Sequence, residues 1–135
     1  MKTFDLQGIA INAPFEKVFR YIADARNLPE WTSAFESISD GRASMRTPKG
    51  TVEVALTVKT SAEAGTVDWI MKFPNGDIAS ACSRVVPVGN ASSIYSFILM
   101  APPVPLEQLE GALEQQSRTL REELAKLSQI LSKSL

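Results

Sequence analysis

The chain has 135 residues, 44% apolar and 21% charged, with 14 basic and 15 acidic side chains and a formal net charge of -1. That length suits one domain able to bury roughly two-thirds of its unfolded surface, and the composition excludes disorder by low hydrophobicity. Charges of both signs are interspersed, so no basic stripe exists to neutralise phosphates and no nucleic-acid partner is expected.

The first segment, Thr3 to Asn12, mixes strand formers around Gly8, which predicts a strand with a bulge or a close backbone approach. Pro14 to Asp24 follows as a helix. Proline suits a first helical turn, Glu16 lies at the positive end of the dipole, and Phe15, Val18, Phe19 and Ile22 recur at helical spacing. In Asn27-Leu28-Pro29-Glu30-Trp31 the proline should hold Leu28 away from helical geometry, with a second helical turn at about Trp31 to Phe35.

From Ser39 the pattern becomes period two, the mark of an antiparallel meander. Val52, Val54, Leu56 and Val58 alternate with Glu53, Ala55, Thr57 and Lys59. Val67, Trp69, Met71 and Phe73 then alternate with Thr66, Asp68, Ile70 and Lys72. Asn75-Gly76 predicts a two-residue hairpin turn into a strand from Asp77 to about Val88, and Gly89-Asn90 a second into Ser92 to Met100. The stiff run Ala101-Pro102-Pro103-Val104-Pro105 precedes one long helix, Leu106 to Leu131. Leu106, Leu109, Leu113, Leu120, Leu124, Leu127 and Leu131 form its apolar stripe, interrupted by Gln116 and Ser117. Glutamates early and cations late follow the helix dipole, and Glu114 with Arg118 is a favourable i,i+4 pair.

This order predicts an α+β helix-grip fold: a curved antiparallel sheet wrapped around the C-terminal helix, with two short helices after the first strand, residues 1–135 forming one domain. A one-sided sheet must cover its apolar face, and a helix with one leucine stripe is the natural cover. Ile9-Ala10-Ile11-Asn12-Ala13-Pro14 with Val18 and Phe19, then Asp24 and Asn27-Leu28-Pro29-Glu30-Trp31, resemble the START-like, Bet v 1-like (SRPBCC) superfamily over nearly the whole chain, in particular its polyketide cyclase/dehydratase-like branch. Thr47-Pro48-Lys49-Gly50 and Ser83-Arg84-Val85-Val86 are also similar to patterns in that superfamily. The resemblance implies a cavity between sheet and helix. It implies no single activity, because the superfamily spans carriers, receptors, cyclases and oxygenase subunits.

The chain has no histidine and one cysteine, Cys82. Serine-histidine and cysteine-histidine hydrolysis are therefore excluded, as are an intramolecular disulfide and a multi-cysteine metal site. No metal site and no cofactor are expected. No secretory leader or membrane span is indicated, so a cytoplasmic location is expected; oligomeric state is left open.

Two-residue turns at both hairpins would oppose Trp69 to Cys82 and Phe97, and Val67 to Arg84 and Tyr95, all on the inner face. A three-residue turn at either place would flip the dependent strand. On this register the candidate ligand-binding residues are Trp31, Trp69, Met71, Arg84, Tyr95, Phe97 and Gln116, with Arg84 and Tyr95 as a polar anchor. No catalytic residue is assigned. Each aromatic residue is equally explained as core, Arg84 as an edge residue paired with a carboxylate such as Glu63 or Asp68, and Cys82 as a small inner-face hydrophobe. The expected function is binding of a small, mostly apolar molecule, a lipid, isoprenoid or polyketide. The alternatives are a polyketide cyclase, aromatase or dehydratase using the same cavity, and a protein-interaction module.

Overall fold

Strand β4 (Gly50–Ser61) sets the pattern of the molecule: Val54 and Leu56 are buried, while Glu53 and Thr57 on either side of them are exposed. The same one-sided burial runs through β1 (Phe4–Ile11), β2 (Phe35–Ser39), β3 (Arg42–Thr47), β5 (Thr66–Lys72), β6 (Ile78–Val88) and β7 (Ser92–Met100). These make one antiparallel sheet in the order β1-β7-β6-β5-β4-β3-β2. Helices α1 (Phe15–Ala23) and α2 (Leu28–Trp31) follow β1, and α3 (Leu106–Ser132) closes the chain. This computed structural model describes residues 3–47, 50–100 and 106–132, and the side chains of 106–110 lie outside the description. Leu106 and Leu109 of the expected stripe, Pro48-Lys49 and the proline run are therefore outside the described residues or side chains.

The helix-grip architecture is the one expected. Helix α1 buries Val18 and Ile22 completely and stacks Phe15 on Phe19 at 5.6 Å. Helix α3 buries Leu113, Leu120, Leu124, Leu127 and Leu131, and Glu114 pairs with Arg118 at 3.7 Å.

Three local expectations need correction. Leu28 is helical (φ -53°, ψ -44°) and opens α2, so the second helix precedes Trp31 and Phe35 begins β2. Pro29 stands in the first turn, where its missing N–H costs nothing. The turn is closed by Thr32, which donates its N–H and hydroxyl to the Leu28 carbonyl at 2.9 and 2.7 Å, and burying Leu28 to 2% offsets the usual pre-proline bias. Gly8 marks no bulge, since β1 and β7 pair without interruption, and an added Cβ would meet nothing closer than the Tyr95 carbonyl at 3.6 Å.

The third correction is the register of β6. The connection after β5 has three residues, Pro74, Asn75 and Gly76. Phe73 donates its N–H to the Asp77 carbonyl at 2.9 Å and accepts from Gly76 N–H at 2.9 Å, with Gly76 at φ +96°. A two-residue turn on Asn75-Gly76 would need an N–H at position 74, and proline has none. Three residues, Gly89 to Ala91, also separate Val88 from its partner Ser92. The two differences cancel for β7 and flip β6. Trp69 faces Ala81 and Leu99, and Val67 faces Ser83 and Phe97, while Cys82 and Arg84 lie on the outer face.

The glycine that the fold requires is Gly65, between β4 and β5. Its φ is +76°, its carbonyl accepts from Val85 N–H at 2.8 Å, and an added Cβ would stand 2.2 Å from the Val85 carbonyl oxygen.

Candidate functional site: a cavity between sheet and helix

Turning β6 over places Ala79, Ala81 and Ser83 on the inner face at the middle of the sheet, where larger side chains would fill the concavity. Helix α3 meanwhile lies along β1. Ser117 Oγ donates to the buried carboxylate of Asp5 at 2.6 Å, and Gln7 donates to Asp5 at 2.6 Å and to the Ser117 carbonyl at 2.8 Å. Ser128 Oγ donates to the Ala10 carbonyl at 3.0 Å, and Ser132 Oγ accepts from Asn12 N–H at 2.9 Å. The five steps along the strand from Asp5 to Ala10 advance about 17 Å, and the eleven steps along the helix from Ser117 to Ser128 advance about 16.5 Å, so the two ladders stay in step. These serines cover the edge of β1, which has a strand on one side only.

A cavity of about 630 Å³ lies between α3, the α2–β2 connection and strands β5 to β7. Its buried wall includes Trp31, Trp69, Met71, Phe97 and Leu120. The rings form one cluster: Trp31 lies 6.5 Å from Trp69, Trp69 stacks on Phe97 at 5.9 Å, and Trp31 meets Tyr95 edge-on at 6.3 Å. The indole Nε1 atoms of Trp31 and Trp69 are buried without a hydrogen-bond partner among the described residues, and the buried Tyr95 hydroxyl has only the Ser83 hydroxyl as a polar neighbour. Burial pushes the Tyr95 phenol far above the usual tyrosine range, so it is un-ionised at any ordinary pH.

Polar groups gather at the rim, where Gln116, Ser33 and Arg46 are exposed. Ser33 bridges the rim. Its N–H and hydroxyl donate to Glu123 Oε2 at 2.6 and 3.1 Å, and its carbonyl accepts from Arg46 at 2.9 Å. Burial raises the proton affinity of Glu123 above the usual carboxylate range, while the two Ser33 donors oppose that shift and neighbouring Glu122 adds to it.

Of the residues expected at the site, Trp31, Trp69, Met71, Phe97 and Gln116 line the cavity. Tyr95 faces inward but is fully buried behind Trp31 and Phe97 and does not line it. Arg84 is a correction: it is exposed on the outer face, opposite Ser96 rather than Tyr95, and its Nε donates to the Ala64 carbonyl at 3.1 Å. The Arg84–Tyr95 anchor does not form. Cys82 is likewise on the outer face, where burial first and the Asp68 carboxylate second push its thiol pKa up, so the reactive thiolate is disfavoured. Glu123, Ser33 and Arg46 were missed. Among the described residues no cluster of three histidine, cysteine, aspartate or glutamate side chains offers a metal site, and no helix is long and apolar enough to cross a membrane.

Neither a family model nor a curated protein matches the sequence. Solved structures share its architecture. The protein XoxI from Bacillus cereus superposes with a TM-score of 0.71 at 14% identity, over 98% of this chain and 97% of that one. A START superfamily protein from Mycobacterium smegmatis gives 0.65 at 15%, over 96% and 99%. The Zhui aromatase/cyclase from Streptomyces sp. R1128 gives 0.64 at 9%, over 96% and 90%. At such identities the likeness establishes the fold, which is the START-like, Bet v 1-like helix-grip fold.

Proposed function

We propose that the protein binds a small, mostly apolar molecule in the cavity between β5–β7 and α3. The observation that carries this reading is an apolar cavity of about 630 Å³ walled by Trp31, Trp69, Met71, Phe97 and Leu120 and rimmed by polar groups. That size and lining suit a ligand with a hydrophobic body oriented by a few polar contacts. The test is native mass spectrometry of the protein purified from its own host, followed by extraction of whatever it retains. A stoichiometric apolar molecule is expected. Protein that arrives empty and shows no saturable binding of neutral apolar probes overturns the reading.

One observation favours a second reading, a cyclase or dehydratase in the same cavity. Glu123, the carboxylate among the described cavity-lining residues, has the raised proton affinity that acid–base work requires. Turnover of a flexible carbonyl substrate by the wild type and its loss in Glu123→Gln, with ligand binding kept, would establish it.

A further inference from the structure

Trp31 and Trp69 are 2% and 3% exposed, and both line the cavity. An indole N–H can donate a hydrogen bond and can do nothing else. Buried donors are almost always paired, and an unpaired one forfeits the water it left behind without replacing it. Two unpaired indole N–H groups on one wall therefore need an explanation, and the surrounding protein does not supply it. The Ser83 and Ser93 hydroxyls, which donate to the Val67 and Ala13 carbonyls at 2.6 and 2.9 Å, keep acceptor lone pairs, but among the described residues neither they nor any other acceptor reaches either indole nitrogen. The Tyr95 ring stands at 84° to Trp31 and presents a π face, a second-order acceptor, and its hydroxyl oxygen is not within hydrogen-bond distance of either indole nitrogen.

The charges around the cavity argue against an anion as the missing acceptor. Arg46 is exposed at the rim, where it already serves the Ser33 carbonyl at 2.9 Å and Glu36 at 3.5 Å. Glu123 adds a carboxylate to the lining, which disfavours a second negative charge when it is ionised. A neutral acceptor meets neither obstacle. The two ring centres are 6.5 Å apart, so one small molecule spans both.

Resting on the ligand-binding reading above, we infer that the ligand is an uncharged apolar molecule bearing a carbonyl oxygen, which accepts a hydrogen bond from the indole N–H of Trp31 or Trp69. Both nitrogens are closed to solvent as the side chains stand, so the donating ring turns toward the ligand as it enters.

The chain has two tryptophans, hence two indole cross-peaks in a proton–nitrogen correlation spectrum. Labelled protein is titrated with 2-acetylnaphthalene, with 2-isopropenylnaphthalene, which has nearly the same shape and no acceptor, and with 2-naphthoate. The ketone is expected to move at least one indole proton downfield of the position reached with the hydrocarbon. It should also bind about fivefold more tightly than the hydrocarbon, the worth of one neutral hydrogen bond, with the naphthoate weakest. Trp31→Phe and Trp69→Phe assign the peaks, and at least one of them should abolish the ketone's advantage while retaining hydrocarbon binding. Equal affinities for ketone and hydrocarbon with coincident indole shifts, or tightest binding by the naphthoate, overturn the inference and leave the apolar-cavity reading intact. Failure of all three to bind overturns both.

Discussion

Ser33 gives its backbone N–H to the Glu123 carboxylate at 2.6 Å, joining the segment after α2 to the middle of α3 at the rim of the cavity. Glu123 is half-buried there, and its folded pKa lies above the ordinary glutamate value of 4.5. The folded state therefore binds this proton more tightly than the unfolded chain does. The resulting stabilisation is fully present below the unfolded pKa and is lost as pH rises through the raised folded one. Glu123→Gln removes that dependence. The stability of the variant relative to wild type should rise between pH 4.5 and the raised pKa and level off above it, measured by urea unfolding at a series of pH values. Parallel pH profiles would show that Glu123 titrates as it does in the unfolded chain.

The Ser117–Asp5 bond fastens α3 to the edge strand. Ser117→Ala leaves the buried Asp5 carboxylate short of a close donor and should cost about 1–3 kcal/mol in denaturant unfolding. Ser128→Ala removes a longer, exposed bond to a neutral carbonyl and should cost less. Equal small losses in both variants would mean that the Asp5 knot is not what holds the helix.

Gly65 and Gly76 both have positive φ, but only Gly65 is crowded, by the Val85 carbonyl. Gly76→Ala should cost about 1–2 kcal/mol, the backbone term alone. Gly65→Ala adds a collision with main chain and should cost more than about 2 kcal/mol. Similar melting temperatures for the two variants would contradict the close approach.

Arg84 stands on the outer face, so Arg84→Met should leave ligand affinity unchanged and alter stability by no more than about 0.5 kcal/mol. A loss of affinity, read by calorimetric titration with 2-acetylnaphthalene, would put the guanidinium back in the site.

The architecture was legible because it follows from periodicity: the alternation of β4, the Val18–Ile22 face of α1 and the leucines of α3 each state which side is buried. Part of the cavity's aromatic wall was legible for the same reason, since Trp69 and Met71 lie on a strand whose phase its own alternation sets, whereas Phe97 faces inward as expected only because the two turn-length errors cancel on β7. The phase of β6 was not, because Ala79, Ser80, Ala81, Cys82 and Ser83 alternate in nothing strong. Its orientation hung on turn length, and the deciding residue was Pro74, whose missing N–H rules out the shorter turn. Recognising it would have moved Arg84 outward from the start. Ser33, Arg46 and Glu123 come together from three separate elements, and no spacing in the chain announces that. The serines of α3 did leave a trace in their spacing of eleven and four residues along the leucine stripe, but it acquires meaning only once β1 is known to be an edge strand lying beside them.

The central claim is that the space beside Ala81 receives an apolar ligand. Ala81 sits opposite Trp69 on the cavity wall, so Ala81→Phe should fill that space, whereas Val86→Phe adds the same bulk to the exposed outer face. The deciding measurement is fluorescence titration with the neutral probe N-phenyl-1-naphthylamine, with circular dichroism to verify that each variant is folded. Saturable binding to wild type and Val86→Phe, weakened at least about tenfold in a folded Ala81→Phe, is the predicted result. Saturable binding that Ala81→Phe leaves untouched, or no saturable binding to wild type, would contradict it.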